Sequence, residues 1–233
     1  MTIHDLDGLK KAAAFKAVEF VRDGMIVGLG TGSTAKYVVI ALGERVRAGM
    51  KLRGVPTSQE TAALAREYRI PLLDSENCWE IDVALDGADQ VDPNFNLIKG
   101  GGGALLKEKI VAASAKQFIV MVDHTKQVPV LGGSFPLPIE VIPFGWGSTA
   151  REIEALTNGR VVLRERTGSP FKTEAGHLIL DVHIDRINRP SELEAALNLI
   201  PGVVETGLFV GRTNILIVGT PHGVQTLHVS QKQ

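Results

Sequence analysis

The chain has 233 residues, with 25 Lys and Arg against 26 Asp and Glu and a net charge of −1, so it lacks the positive field that a nucleic-acid partner needs. Hydrophobic residues make up 44% and charged residues 22%, too apolar for disorder and enough, in one domain or two small ones, for a core without disulfide or metal staples. Cys78 is the single cysteine and cannot pair within the chain, the opening stretch Met1 to Lys11 has no apolar h-region, and every apolar run is too short to span a membrane. The expectation is a cytoplasmic protein with neither leader nor membrane segment.

Apolar residues at helical spacing predict a first helix from Leu6 to Val21, closed by Asp23-Gly24. Met25 to Leu29 reads as a strand, Gly30 to Thr34 as a glycine turn, and Ala35 to Leu42 as a helix. A strand ending near Val55 and a helix from Gln59 to Tyr68 follow, then a strand over Ile81 to Leu85 that runs into Asp86-Gly87-Ala88-Asp89. After the loop at Asp92-Pro93-Asn94 and four glycines at 100–103, Ala104 to Ala115 is helical by composition, and Phe118 to Val122 is a buried strand ending at Asp123-His124-Thr125-Lys126. Strands alternating with helices imply parallel βαβ units, whose chemistry gathers at the carboxyl ends of the strands.

Beyond Pro136-Leu137-Pro138 the pattern changes. Strands are expected at Ile139 to Ile142, Arg160 to Arg164 and His177 to His183, and helices at Ser148 to Leu156 and Ser191 to Leu199, the second with Ser191 and Glu194 at capping-box spacing. Asn214 to Gly219 is an apolar strand that could return to the first sheet. The fold class is therefore α/β. A mostly parallel, Rossmann-like sheet flanked by helices is expected from 1–135 plus 208–233, with a smaller α+β, ferredoxin-like domain at 136–207.

Four segments carry polar chemistry. The turn Gly30-Thr31-Gly32-Ser33-Thr34 between strand and helix offers free amides, hydroxyls and a positive helix end, so an anion site and a plain capped turn are both open readings. It lacks the lysine of a P-loop and the third glycine of a dinucleotide fingerprint. Asp86 and Asp89 place two carboxylates at a strand end, as acceptors for sugar hydroxyls or as turn caps. Lys99 joins a cation to the glycine run, an arrangement that can stabilise an oxyanion. Lys126, and more weakly Lys10, could add a cation for a phosphate. Glu108, flanked by Lys107 and Lys109, reads in isolation as a surface residue. The histidines show no metal-binding spacing, Cys78 has no activating neighbour, and Trp79 and Trp146 read as packing residues.

In order along the chain, Gly30 to Thr34, Asp86 to Asp89, Lys99 to Gly102 with Glu108-Lys109 behind them, Asp123 with Lys126, Phe135 to Pro143, Ile200 to Val204 and Gly207 to Phe209 resemble the A type of ribose-5-phosphate isomerase. The resemblance implies interconversion of ribose 5-phosphate and ribulose 5-phosphate in the pentose phosphate pathway, without metal or organic cofactor, by a homodimer or homotetramer. By motif position it makes Thr31, Gly32, Ser33 and Thr34 a substrate loop, and lines the reacting end with Asp86, Gly87, Ala88, Asp89, Lys99, Gly100, Gly101 and Gly102. It gives Lys126 a substrate contact and makes Glu108 the proton acceptor, reversing the isolated reading. Asp86 or Asp89 would assist ring opening, and Lys99 would stabilise a cis-enediolate. Two positions depart from the family pattern: Gln90 stands where an acid is frequent, and His124-Thr125 replaces a small residue and a Ser. A sugar-phosphate sensor, a CoA-transferase-like enzyme with a nucleophilic Glu and a nicotinamide dehydrogenase are the competing readings. The joint presence of Lys99 and Glu108 favours the isomerase over the first.

Overall fold

The structure, a computed structural model, describes residues 3–76 and 78–229. Met1 and Thr2, on which part of the no-leader expectation rests, lie outside the described residues. The chain opens with α1 (Ile3–Val18), β1 (Ile26–Leu29), α2 (Ala35–Arg47), β2 (Arg53–Pro56), α3 (Gln59–Glu67) and β3 (Ile81–Asp86). It continues through β4 (Gln90–Val91), β5 (Leu97–Ile98), α4 (Leu105–Ala113), β6 (Ala115–Asp123), a 3-10 turn (His124–Lys126), β7 (Leu137–Val141), α5 (Trp146–Thr157) and β8 (Arg160–Leu163). The two-residue strands β9 (Glu165–Arg166) and β10 (Ser169–Pro170) precede β11 (Leu178–His183), α6 (Pro190–Leu197), β12 (Val203–Thr206), β13 (Leu208–Phe209), β14 (Ile215–Thr220) and β15 (Gly223–His228). By contacts the chain divides into two compact units: Met1–Ala88, Lys107–Lys126 and Arg212–Gln233 form one, Asp89–Leu106 and Gln127–Gly211 the other.

The first unit is built on a six-stranded sheet in the order β15-β14-β6-β3-β1-β2, parallel throughout except for the β14–β15 pair. Counted among themselves, the five parallel strands run 2-1-3-4-5, a doubly wound order whose direction reverses between β1 and β3. Ligands of such sheets bind outside the carboxyl ends of the strands at that reversal, which here means the segments following Leu29 and Asp86. Helices on both faces explain why β3, β6 and β14 read as near-continuous apolar runs. Val27, Leu29, Val83, Leu85, Ile119 and Met121 pack with Ala13, Ala14 and Ala17 of α1 and Val38 and Leu42 of α2. Close approach is a glycine property here: Gly219 lies under the Leu9 backbone, where a Cβ would overlap it.

Helix α2 continues past Leu42 to Arg47 because Gly43, where the Tyr68 side chain sits in place of a Cβ, is accommodated inside it. The strand expected at Phe118 to Val122 begins three residues earlier, at Ala115, so the helix before it ends at Ala113. Hairpin strand β15 escaped the sequence reading because it is an exposed edge with no buried run.

In the second unit, β7-α5-β8-β11-α6-β12 forms a four-stranded antiparallel sheet in the order β12-β7-β11-β8, the ferredoxin-like arrangement. A second sheet, β13-β5-β4, joins residues near 90 and 98 to 208–209. Ile98 and Leu208 share one core with Ile139, Val141, Leu180 and Val182. That core is why the unit takes in 89–106, 127–135 and 208–211 beyond the 136–207 expected from sequence. Two-residue strands leave no period to detect. The expected Ser191 cap does not form: the N-cap is Arg189, with Pro190 in the first turn and no side-chain capping bond. Proline suits that position because its missing N–H would be unpaired there anyway.

Asp82 on β3 ties three strands at their amino ends, accepting the Ile26 amide at 2.9 Å and the Lys116 ammonium at 2.9 Å. Those donors hold its carboxyl below the usual value, the Lys116 hydrogen bond foremost, and Lys116 is raised in turn, chiefly by the same bond. A depressed carboxyl stabilises the fold above the unfolded-state value near ~3.9 and loses that contribution as pH falls through the folded one. Asp82→Asn is therefore expected to lower the melting temperature at pH 7 and to converge with the parent as acid titrates the depressed folded-state carboxyl; a difference that stays constant down the acid titration would refute the linkage.

Candidate active site

At the sheet's reversal point the loops after β1 and β3 are bound together by one carboxylate. Asp86 is 3% exposed; its Oδ1 accepts the Gly87 amide at 2.7 Å and the Thr31 amide at 3.2 Å. The Gly30 amide donates to the Leu85 carbonyl at 3.0 Å, extending the ladder one residue beyond β1. A Cβ at Gly30 would overlap the Asp86 carboxyl, so glycine is required there. Gly32, at φ +104, is exposed and carries the chain into α2.

The hydroxyls of this loop divide into two groups. Thr31 Oγ1 lies 2.6 Å from Thr57 Oγ1 and 3.4 Å from Thr61 Oγ1. Thr57 donates to the Leu29 carbonyl at 3.2 Å and Thr61 to the Gly30 carbonyl at 2.9 Å. The short contact with the Thr57 hydroxyl lets Thr31 brace the loop. Ser33 is exposed, and Thr34, 8% exposed at the N-cap of α2, makes no side-chain capping bond. Those two hydroxyls and the orphan amides of the helix start are what the turn presents to an anion. Thr57 and Thr61 escaped the sequence reading; the run of hydroxyls after β2 was the available signal.

Glu108 is not a surface residue: it is 6% exposed in the first turn of α4. Val111 of the same helix seats against Gly28, where a Cβ would collide with it. Glu108 and Asp86 line one narrow crevice, with no room for a water molecule, together with Gly30, Thr57 and Phe118. Lys109 is also buried, at 4%, while Ile110 is 48% exposed, so the helix turns charge inward and an apolar side chain outward. At the end of β6, Asp123 is 1% exposed and accepts the Thr125 amide at 3.0 Å and the Thr125 hydroxyl. This shapes the 3-10 turn that carries half-buried Lys126. Lys10 follows Leu9, which packs on Gly219 near the carboxyl end of β14.

In the second unit, Asp89 accepts the Gly101 amide at Oδ2, 2.9 Å away, while its own amide donates to the Ile98 carbonyl at 2.9 Å. Lys99 is 3% exposed, with its ammonium 5.5 Å from the centre of the Phe209 ring. Gly100 takes φ +102 and Gly103 φ +86, with the Gly103 amide turned back to the Gly100 carbonyl at 3.0 Å. Gly101 and Gly102 are exposed. The run is thus an ordered turn, with the Gly101 amide already engaged. Gln90 is buried and grips one loop from both ends, its Nε2 donating to the Gly132 carbonyl at 2.9 Å and its Oε1 accepting the Gly132 amide at 2.8 Å. Gly87 and Ala88 are half-buried. Among the described residues no group of three or more His, Cys, Asp or Glu side chains could hold a metal ion, and no helix is long and apolar enough to cross a membrane.

The sequence profile of ribose 5-phosphate isomerase A (phosphoriboisomerase A) matches residues 53–223. The chain belongs to that family. A ribose-5-phosphate isomerase A of Gloeobacter violaceus is 52% identical over 224 residues, which cover 96% of this chain and 97% of that one. The solved structure of ribose 5-phosphate isomerase A from Methanocaldococcus jannaschii superposes with a TM-score of 0.90 at 43% identity, covering 95% of this chain and 98% of that one. A D-ribose-5-phosphate isomerase in complex with phospho-erythronic acid does so with a TM-score of 0.93 at 44% identity, covering 96% and 99%.

Glycines of the family's loops are not equivalent in this structure. Gly30→Ala is expected to destabilise the fold by about 1–3 kcal/mol through overlap with the Asp86 carboxyl. At Gly87 an added Cβ meets its nearest atom, Thr34 Cβ, at an ordinary 3.6 Å, so Gly87→Ala should stay within about 0.5 kcal/mol of the parent. Denaturant titration of the two variants checks this, and equal losses would contradict it.

Proposed function

We propose that this chain interconverts D-ribose 5-phosphate and D-ribulose 5-phosphate with Glu108 as the base that carries the proton between C2 and C1, without metal or organic cofactor. The observation that carries the reading is a buried pair of carboxylates, Asp86 at 3% and Glu108 at 6% exposure, lining one narrow crevice beside the loop at the sheet's reversal point. Asp86 Oδ1 already holds two amides, which suits it to shaping the loops. Half-buried Asp89 has only Oδ2 engaged with Gly101, so ring opening is assigned to Asp89. Ser33 and Thr34, with Gly32, take the phosphate on the amino end of α2, and Lys126 and Lys10 supply positive charge for it. Lys99 and the glycine run stabilise the enediolate oxygens, at about 3–4 kcal/mol per preorganised donor.

In a coupled assay with ribose 5-phosphate and EDTA, the parent should turn over and Glu108→Gln should lose at least about 100-fold in kcat while still binding the sugar phosphate. Retained turnover in that variant would remove Glu108 from the role. Loss of the parent's activity in EDTA would remove the metal-free mechanism.

Homodimer or homotetramer formation is the second part of the reading. Phe144 at 89%, Leu199 at 84%, Ile142 at 38% and Trp146 at 37% exposure are apolar side chains left uncovered on segments of the second unit. Their segments are joined by the Ile142 amide on the Gly202 carbonyl at 2.9 Å and the Thr149 hydroxyl on the Pro201 carbonyl at 3.0 Å. Uncovered apolar surface of this kind marks an association surface. The parent should scatter light as a multimer, and Phe144→Ser with Leu199→Ser should lower its mass toward one protomer; an unchanged mass would exclude these side chains from the interface. A lone, exposed cysteine fits the reducing cytoplasm.

A further inference from the structure

Arg164 follows β8 and carries no motif that the sequence reading singled out. Its backbone is fixed on both sides, with its amide on the Ile179 carbonyl and its carbonyl accepting the Phe171 amide, each at 2.8 Å. The guanidinium is clamped by Asp181 of β11, with Nε donating to Oδ2 at 2.8 Å and Nη2 to Oδ1. The pair is largely covered, at 14% and 17% side-chain exposure. The remaining nitrogen, Nη1, reaches the glycine run and donates to the Gly100 carbonyl at 2.8 Å and the Gly101 carbonyl at 3.2 Å. One planar fork therefore holds a carboxylate and two consecutive backbone carbonyls at once. Lysine, with three donors on a point charge, cannot reproduce that arrangement.

The consequence follows from the planarity of the peptide unit. In a trans peptide the N–H of one residue points opposite to the C=O of the residue before it. The Gly100 carbonyl faces Arg164, and the Gly101 amide of the same peptide faces the other way and meets Asp89 at 2.9 Å. The Gly101 carbonyl also faces Arg164, so the Gly102 amide must point away from the guanidinium, toward the side on which the Asp89 carboxyl lies. We infer that Arg164, oriented by Asp181, is a positioning residue that fixes the Gly102 N–H as a preorganised donor for the enediolate oxygen. Gly101 fits beside Asp89 and Phe135, which a Cβ would crowd, and Arg164 supplies the order that a run of four glycines lacks by itself.

This inference rests on the proposal that Lys99 and the glycine run serve the enediolate, and the experiment separates the two. Kinetics with ribose 5-phosphate, thermal unfolding, and binding of inorganic phosphate and of phospho-erythronate are measured for the parent, Lys99→Met, Arg164→Lys and Asp181→Asn. The carboxylate of phospho-erythronate imitates the enediolate oxygens, whereas phosphate reports only on the anion site. Arg164→Lys is expected to lose about 10- to 100-fold in kcat with KM little changed. Its affinity for phospho-erythronate should fall in step while phosphate affinity and melting temperature hold. Asp181→Asn, which loosens the fork but keeps the guanidinium, should show the same pattern more weakly. A kcat of Arg164→Lys within about threefold of the parent, beside a Lys99→Met that is inactive, would overturn the positioning role alone. Activity surviving in Lys99→Met would overturn the reading on which it rests. Should Arg164→Lys fail to fold, an Asp181→Asn enzyme with unchanged kcat, or one losing phosphate and phospho-erythronate affinity equally, would overturn the inference.

Discussion

The Asp86 carboxylate is the constraint on which the first unit's loops depend. It sits at the carboxyl end of β3, almost fully buried, and draws the amide of Thr31 from the loop after β1 and the amide of Gly87 from its own loop onto one oxygen. Hydrogen bonds between backbone N–H and a carboxylate are roughly twice as strong as neutral ones. This pair replaces the next rung that the parallel ladder would have had. Because the carboxyl needs the space in which a Cβ would stand, the residue facing it is Gly30. Beside it, Thr57 and Thr61 close the other flank by giving their protons to the carbonyls of Leu29 and Gly30. Loop conformation at the sheet's reversal is therefore set by polar contacts to side chains, with apolar packing reserved for the strands behind it.

Legibility followed buried periodicity. The strands around Val27, Val83, Val120 and Ile217 were readable because burial on two faces makes them apolar throughout. The ferredoxin-like order emerged from strands near Ile139, Leu163 and Leu180 alternating with two helices. Two-residue strands at Gln90, Leu97 and Leu208 were illegible since pairing there is decided by partners more than 100 residues apart in the case of Leu97 and Phe209. The Ser191 box failed for the opposite reason: a valid local signal was overridden by Pro190 one residue earlier, which starts the helix without a side-chain cap.

Site legibility was of two kinds. Gly30, Asp86, Asp89 and Lys99 stand at strand ends, where the alternation of elements already directs attention. Glu108 could not be found that way, because its immediate neighbours Lys107 and Lys109 suggest a solvated face, and only the ordered set of motifs shared with the isomerase family reversed that reading. The helix itself inverts the usual pattern, with Glu108 and Lys109 covered and Ile110 outside. Burying charge in a helix that has an apolar residue to spare runs against stability and is common where function has been selected. Arg164 was illegible altogether, since its link to the glycine run is made to main-chain carbonyls, which no pattern of side chains records.

The grip of Gln90 on its loop shows what an acid at this position would entail. A carboxamide offers both a proton and a lone pair, and both are spent on the single peptide neighbourhood of Gly132, with a further 3.2 Å contact to the Ser134 hydroxyl. An ionised carboxylate in the same socket would face the Gly132 carbonyl oxygen with nothing to donate. Hydrolysis of this amide would therefore unfasten the loop from one end.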